Sequence, residues 1–341
     1  MKDNNLSIAI IGCGNIYQIH ADAIRDHDQA YLLAVVDNQK ERVETAAAEY
    51  NCTSYQDYQE MLKEPEIDVV HICTPHHLHY SMAIDCLEAG KHVLVEKPMA
   101  KDVDGAKKMI DKAQKTEKKM GVVFQNRYNK TSIKAREMID DGEIGSIKGI
   151  KGIVTWHRNQ EYYNQDAWRG RWETEGGGVL INQSIHTLDL LQWLGGNIKA
   201  IKGHVDTRIL EDAIEVEDTA EATLYFDSGA KGLFYATNCF STNSPVEIVI
   251  HGERGLLKIT NNNLILQRNG EKQQLGQNHK SQYKTYWGKG HKSLINDFYD
   301  NIINDTHNYI KGKEGIKSLE LIKGIYQSSQ NNKKYYFSRS E

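Results

Sequence analysis

The chain has 341 residues, of which 39% are hydrophobic and 26% charged. Those numbers suit a globular protein with real cores, and the length suggests two domains. A net charge of −4 leaves no electrostatic footprint for nucleic acid or a membrane surface, and no apolar run is long enough to span a bilayer.

The opening MKDNNLSIAIIG has a short apolar run that turns straight into a glycine loop, so it reads as a strand and not a signal peptide. Strands are expected at Ser7–Ile11, Tyr31–Val36, Asp68–Cys73, His92–Val95 and Val122–Gln125. Most are dense in Val and Ile on both faces, as buried parallel strands are. Helical spacing occupies the gaps, at Ile16–Arg25, Lys40–Tyr50, Tyr58–Lys63, Leu78–Ala89 and Val103–Lys118. In the last of these the lysines are interrupted by Asp111 and Glu117, the pattern of a solvated face. Strand–helix–strand repetition implies a parallel, doubly wound sheet with its ligand at the carboxyl ends of the strands.

After about Arg127 the rhythm changes, and a domain boundary is expected at 126/127. A helix is predicted at Ser132–Asp141. Strands follow at Ile147–Trp156, Ile198–Thr207, Thr219–Phe226, Ala230–Asn238, Val246–His251 and Leu256–Thr260. They read as one large, mainly antiparallel open sheet. A helix at Val179–Leu194 interrupts them, and two more close the chain near Leu294–Asn304 and Gly315–Gln327. Asn261–Asn263 reads as a turn and the tail after Asn331 as frayed. The fold class is therefore α/β: an N-terminal Rossmann domain followed by an α/β domain.

Gly12, Cys13, Gly14, Asn15 and Ile16 follow the first strand and open the first helix. Glycines let a backbone approach a pyrophosphate, and the helix N-terminus offers unpaired N–H groups. The GxGxxG fingerprint is incomplete, because Tyr17 takes the third glycine's place. Asp37 ends the next strand, where a carboxylate accepts hydrogen bonds from the adenosine ribose. That favours NAD over NADP, although Lys40 and Arg42 lie close by. Asn38 and Arg42 join the expected cofactor set. So do the strand-end residues Cys73, Thr74, Pro75, His76, Glu96, Lys97 and Gln125. His76, His77 and His79 lack a nearby Cys or carboxylate to complete a metal site, and none is expected. Five cysteines (Cys13, Cys52, Cys73, Cys86, Cys239), odd in number and without a CxxC pair, point to reduced thiols in the cytoplasm.

Four motifs then occur in order: GCGNIYQIH at Gly12–His20, CTPHHLHY at Cys73–Tyr80, AGKHVLVEKP at Ala89–Pro98, and GGGVLINQSIHTLDLLQWLGG at Gly176–Gly196. Together they resemble the Gfo/Idh/MocA oxidoreductases, the family of glucose–fructose oxidoreductase and inositol 2-dehydrogenase. The resemblance runs over nearly the whole chain. It implies a Rossmann domain, a second domain with a large open sheet, and a homodimer or homotetramer packed through that sheet. It makes Lys97 the catalytic lysine and puts His79 at the start of a helix under the nicotinamide. By position alone, Lys97 could equally be a surface lysine paired with Glu96.

Asn182 and His186 are spaced to share one helix face, with Asp189 three residues on. The resemblance makes His186 the histidine of a D-x-x-x-H arrangement around the substrate hydroxyl. An imidazole, with its ordinary pKa of about 6.5, suits proton removal at neutral pH. Asn182 departs from the family's Asp. An amide orients a hydroxyl but takes no proton, so the proton falls to His186 and Lys97. Trp168 and Arg169 lie in a segment that family members use against cofactor or substrate. Arg127 and Arg158 are further candidates for a substrate phosphate or carboxylate.

The implied activity is hydride transfer between NAD (or NADP) and a secondary hydroxyl of a sugar, inositol or nucleotide sugar. Two other readings stay open. One is a glycosidase that oxidises its sugar transiently on tightly held NAD and then eliminates. The other is a dinucleotide-binding regulator without turnover, which has no need of Lys97 or His186.

Overall fold

The computed structural model describes residues 5–260, 263–277 and 290–338. Its contacts divide the chain into two compact units, 1–125 with 290–316 and 126–289 with 317–341.

The first unit holds six parallel strands: β1 (Leu6–Ile11), β2 (Ala30–Val36), β3 (Thr53–Tyr55), β4 (Val69–Ile72), β5 (His92–Glu96) and β6 (Met120–Val123). Their order is β3-β2-β1-β4-β5-β6. Every residue of β1 and β4 is buried, which explains their Ile and Val on both faces. The strand order reverses between β1 and β4, so a crevice opens at the carboxyl ends there. The connecting helices are α1 (Tyr17–Arg25), α2 (Lys40–Tyr50), α3 (Tyr58–Met61), α4 (His76–Glu88) and α5 (Val103–Lys115). In α5, Val103, Ala106 and Met109 are buried, and the Asp102 side chain caps the first turn by accepting from Gly105 N–H at 2.7 Å.

The second unit begins with α6 (Lys130–Asp140), β7 (Ile147–Thr155), α7 (Gln160–Asn164) and α8 (Ile185–Gly195). Then come β8 (Ile198–Asp206), β9 (Thr219–Phe226), β10 (Lys231–Thr237), β11 (Glu247–Gly252), β12 (Leu256–Thr260), β13 (Asn263–Arg268) and β14 (Glu271–Gln277). With β15 (Tyr335–Tyr336) they form a nine-stranded sheet ordered β14-β13-β12-β11-β7-β10-β9-β8-β15. All pairs are antiparallel except β7 with β10. Helix α8 lies close on one face. A Cβ on Gly152 of β7 would stand 2.8 Å from Thr187 and 2.9 Å from Leu191. Two helices close the chain, α9 (Gly290–Ile303) in the first unit and α10 (Gly312–Asn331), which runs from one unit into the other.

Several expectations differ from the structure. The helix predicted from Val179 starts only at Ile185, and residues 179–184 are turns. The N–H groups at its expected start are taken by Glu217, whose carboxylate accepts from Gly178 N–H at 3.1 Å and Leu180 N–H at 3.0 Å, while its carbonyl accepts from Val179 N–H. The described part of the tail expected to fray, residues 332–338, is paired and packed. It adds β15 to the edge of β8, with Phe337 packed on Gly324 of α10. The expected Val122–Gln125 strand lies two residues earlier, and Gln125 instead opens a 3-10 turn, Gln125–Tyr128. Of the turn expected at Asn261–Asn263, residues 261 and 262 lie outside the described residues, and Asn263 already belongs to β13.

Candidate active site

Where β1 ends, Gly12 has φ +98, and a Cβ there would sit 2.7 Å from the Cys73 carbonyl oxygen at the end of β4. Only glycine accepts both the backbone angle and that approach. At Gly14 a Cβ would meet nothing within 4 Å, so the outer side of the loop is clear. Helix α1 starts without a side-chain cap. Its first N–H groups and positive dipole end are thus directed at the loop through Asn15 and Ile16. This cradle fits a dinucleotide pyrophosphate.

Asp37 follows β2. One carboxylate oxygen accepts from Cys13 N–H at 2.9 Å and the other from Gln39 N–H at 2.9 Å. The carboxylate pins the glycine loop and keeps lone pairs for ribose hydroxyls. Asn38 and Arg42 are exposed beyond it. Asp37→Ala is expected to weaken NAD far more than NADP in binding titrations, since NADP carries a phosphate against this carboxylate. Equal losses for both would show that Asp37 only shapes the loop.

Beside the loop, Cys73, Thr74 and Pro75 lead from β4 into α4. His79 of α4 is fully buried, with Nδ1 2.7 Å from Pro98 O and Nε2 2.7 Å from Thr74 O. Burial lowers its pKa while the two carbonyls raise it, and the ring ties the two loops. His76 is also buried, its ring 5.9 Å from that of His79. Among the described residues no group of three His, Cys, Asp or Glu is arranged to hold a metal ion.

Glu96 ends β5, and the Lys97–Pro98 bond is cis. Glu96 is buried, and it accepts from Lys97 N–H at 3.2 Å. Burial would raise its pKa. The hydrogen bond from His20, with the positive charge of Lys97 close by, overcomes that and holds it down to about 2. Gln125, at the end of the unit, is likewise buried.

In the second unit His186 stands in the first turn of α8, whereas Asn182 lies in the turn before it. They therefore do not share one helix face as their spacing suggested. The Asn182 side-chain amide donates to Glu175, a carboxylate only 1% exposed. Burial pushes Glu175 up to about 7, against the opposing hydrogen bonds from Gly170 N–H and Asn182. Glu217, which pins the Gly178–Leu180 turn, is pushed up to about 7 as well, again by burial. No motif singles out either glutamate. The only trace of Glu175 is a carboxylate directly ahead of three glycines.

Arg127, expected to meet substrate, has its fork engaged by Asp189. Its Nε is 2.8 Å from one carboxylate oxygen and its NH2 2.6 Å from the other, both side chains being buried. A bidentate pair of this kind is an internal brace. Arg158 and Arg169 are held by rings as well as by hydrogen bonds: Arg169 Nε donates to Asp166 at 3.0 Å, and Arg158 donates to His157 O at 2.6 Å and to Asn243 Oδ1 at 2.9 Å. Both guanidinium groups lie over Tyr162, at 5.1 and 4.6 Å from the ring centre. Arg158 also lies over Trp156 at 5.0 Å and Arg169 over Trp168 at 4.7 Å. The Tyr162 hydroxyl accepts from Arg169 and from Gln183, the neighbour of Asn182. Arg158 Nε is buried and has no hydrogen-bond partner.

A doubly wound sheet with an open glycine loop and a lysine at a strand end, joined to a broad open sheet, defines a nicotinamide-dependent oxidoreductase. The chain belongs to the Gfo/Idh/MocA oxidoreductase family. Residues 6–124 match its NAD-binding Rossmann fold, and residues 136–337 its C-terminal alpha/beta domain. It is 26% identical to D-glucoside 3-dehydrogenase of Escherichia coli strain K12 over 352 aligned residues, 97% of each chain. It is 30% identical to the scyllo-inositol 2-dehydrogenase (NAD(+)) of Bacillus subtilis strain 168 over 264 residues, 75% of this chain and 74% of that one. Its structure resembles that of the WlbA dehydrogenase from Bordetella pertussis in complex with NADH and UDP-GlcNAcA. There the TM-score is 0.84 and the identity 31%, over 98% of this chain and 100% of the other.

Proposed function

We propose that the protein oxidises a secondary hydroxyl of a UDP-linked sugar acid such as UDP-GlcNAcA, the ligand of the Bordetella relative. The observation that carries this is the buried, unpartnered Nε donor of Arg158 on an aromatic platform that Arg169 shares. Arg158, with Arg169 beside it paired to Asp166, is held by stacking and hydrogen bonds in a way that suits a diphosphate or a carboxylate, and the rings suit a base or sugar face. A plain polyol needs neither cation. Bound NAD supplies the hydride acceptor. The first unit contributes the loop Gly12–Ile16, Asp37 for the ribose, and Lys97 to hydrogen-bond the reacting oxygen. The second contributes His186 to take the hydroxyl proton and Asn182 to orient the hydroxyl. Loss of C–H as hydride and O–H as proton leaves a ketone.

The expected result is a kcat/KM for UDP-GlcNAcA at least about a hundredfold above that for the same sugar acid without its nucleotide. Arg158→Ala should erase most of that gap through KM. Equal rates on free sugars or inositols would reject the nucleotide-sugar reading.

Helix α8 packs on one face of the nine-stranded sheet at Gly152, and the strand residues adjoining Gly152 point to the other. Across it runs the row Thr223, Leu233, Lys151, Val249, Lys258 and Ile265, and Leu233 is 53% exposed. This face is the proposed contact of a homodimer or homotetramer. Light scattering should give a mass two or four times 38.8 kDa, and a monomer would contradict it. No helix of the described residues is long and apolar enough to cross a membrane. All five cysteines are free thiols, as suits the cytoplasm proposed here.

A further inference from the structure

The core of the first unit buries a row of polar side chains behind Lys97. His20 of α1 sets Nε2 3.0 Å from Glu96 Oε1 and Nδ1 2.8 Å from His71 Nδ1. His71 of β4 sets Nε2 2.8 Å from the hydroxyl of Tyr299 on α9. His20, His71 and Tyr299 are wholly buried, and Glu96 is 7% exposed. Polar groups in such a core cost stability unless each is paired, and apolar side chains could fill the same space. The row therefore calls for a role beyond packing.

Counting protons limits what the row can do. A carboxylate only accepts, so His20 Nε2 carries hydrogen. If His20 is neutral, its Nδ1 is a lone pair. His71 must then donate from Nδ1, and Tyr299 O–H must donate to His71 Nε2. If His20 is an imidazolium, its Nδ1–H donates to His71 Nδ1. His71 then carries hydrogen on Nε2 and donates to the Tyr299 oxygen. His71 is neutral in both cases, and burial beside His20 holds its pKa well below the usual histidine range. One proton gained at His20 thus reverses every bond beyond it, while Glu96 accepts throughout.

We propose that His20, His71 and Tyr299 are positioning residues for Lys97, forming a hydrogen-bonded relay that holds Glu96 as the acceptor of the Lys97 N–H. The proposal rests on the catalytic reading of Lys97. Glu96 passes the effect on, since its second oxygen accepts the Lys97 N–H. The surrounding ionisable groups do not replace the relay. His291 of α9 lies 3.8 Å from Glu96, and burial holds it at about 4, so it is neutral in the working range. The Cys73 thiol is pushed up by burial and stays protonated, and His79 is bonded to its two carbonyls. His27 meets Tyr299 ring edge to ring, and its Nδ1 accepts from Gln29 N–H.

The test uses the full chain with its histidine rings labelled with nitrogen-15, titrated by NMR between about pH 5 and 9, where histidines change charge. His20→Gln and His71→Gln assign the signals. The expected result is one ring hydrogen on His71 throughout. It sits on Nδ1 wherever His20 is neutral and on Nε2 wherever His20 is charged. A doubly protonated His71, or a tautomer that disagrees with the charge of His20, overturns the relay. Tyr299→Phe removes a single hydroxyl. With UDP-GlcNAcA and NAD it should lower kcat by about threefold to tenfold and shift its pH profile, with KM unchanged. An unchanged profile would break the link to Lys97. If Lys97→Ala left turnover intact, the catalytic reading would fall, while the ring-hydrogen pattern would still decide whether the relay exists.

Discussion

Lys97→Ala is expected to cut turnover by at least about a hundredfold, equivalent to about 2.7 kcal/mol of transition-state stabilisation, while NAD binds as before. The side chain follows the last residue of β5, at the carboxyl edge where an open parallel sheet binds its ligand. Its backbone N–H is held by a buried, ionised carboxylate, so the strand end has one conformation. None of the loop contacts that would seat the pyrophosphate involves Lys97, so cofactor affinity should survive. Lys97→Arg should not rescue turnover, because a guanidinium keeps its charge and cannot exchange a proton at neutral pH. Single-turnover rates and an NAD titration on the same preparation check this. Near-normal turnover in Lys97→Ala would reduce the residue to a structural partner of Glu96.

The second large effect is expected at His186. Oxidation should speed up with rising pH as the imidazole loses its proton, because only the neutral ring accepts one from the substrate. His186→Asn should remove that limb and lower kcat by about a hundredfold or more. Position 182 then separates orientation from proton transfer. From its size alone, Asn182→Asp would be a mild change. The structure makes it a severe one, because the lost amide hydrogen is the donor to Glu175. Two carboxylates would then face each other at a site where burial has already pushed one up to about 7. One of them must stay protonated at neutral pH, and the pair would titrate as a unit. Any charge left there raises the pKa of His186, so the limb should move to higher pH. Adding Glu175→Gln should restore a donor and move it back. An Asn182→Asp profile that superimposes on the parent would mean that Asn182 does no more than orient a hydroxyl.

The parts legible in the sequence were those with local causes. The β1–glycine loop–α1 unit, the Lys40–Tyr50 helix and the Thr219–Phe226 and Leu256–Thr260 strands follow from periodicity and glycine placement, and they appear as read. The boundary at Val179 was misread because the segment has helical spacing and no breaker. Glu217, remote in sequence, takes the N–H groups at its start. Strands β13 and β14 were missed because Gln, Asn and Lys dilute their alternation, and β15 because two tyrosines near a terminus carry no period. Arg127 looked like an anion clamp because nothing in the sequence pairs it with Asp189, 62 positions away. The buried row His20–His71–Tyr299 was invisible for the same reason. A lone histidine inside VVHI reads as core until the fold supplies its neighbours.

The most direct test of the account is to incubate the purified protein with NAD and UDP-GlcNAcA, following NADH by absorbance and the sugar by mass spectrometry. The account predicts one NADH formed for each sugar that loses two hydrogens, with the link to the nucleotide intact. Cleavage of the sugar with NAD unchanged in amount would identify a glycosidase instead, and no NADH with any sugar, inositol or nucleotide sugar would contradict the dehydrogenase assignment itself.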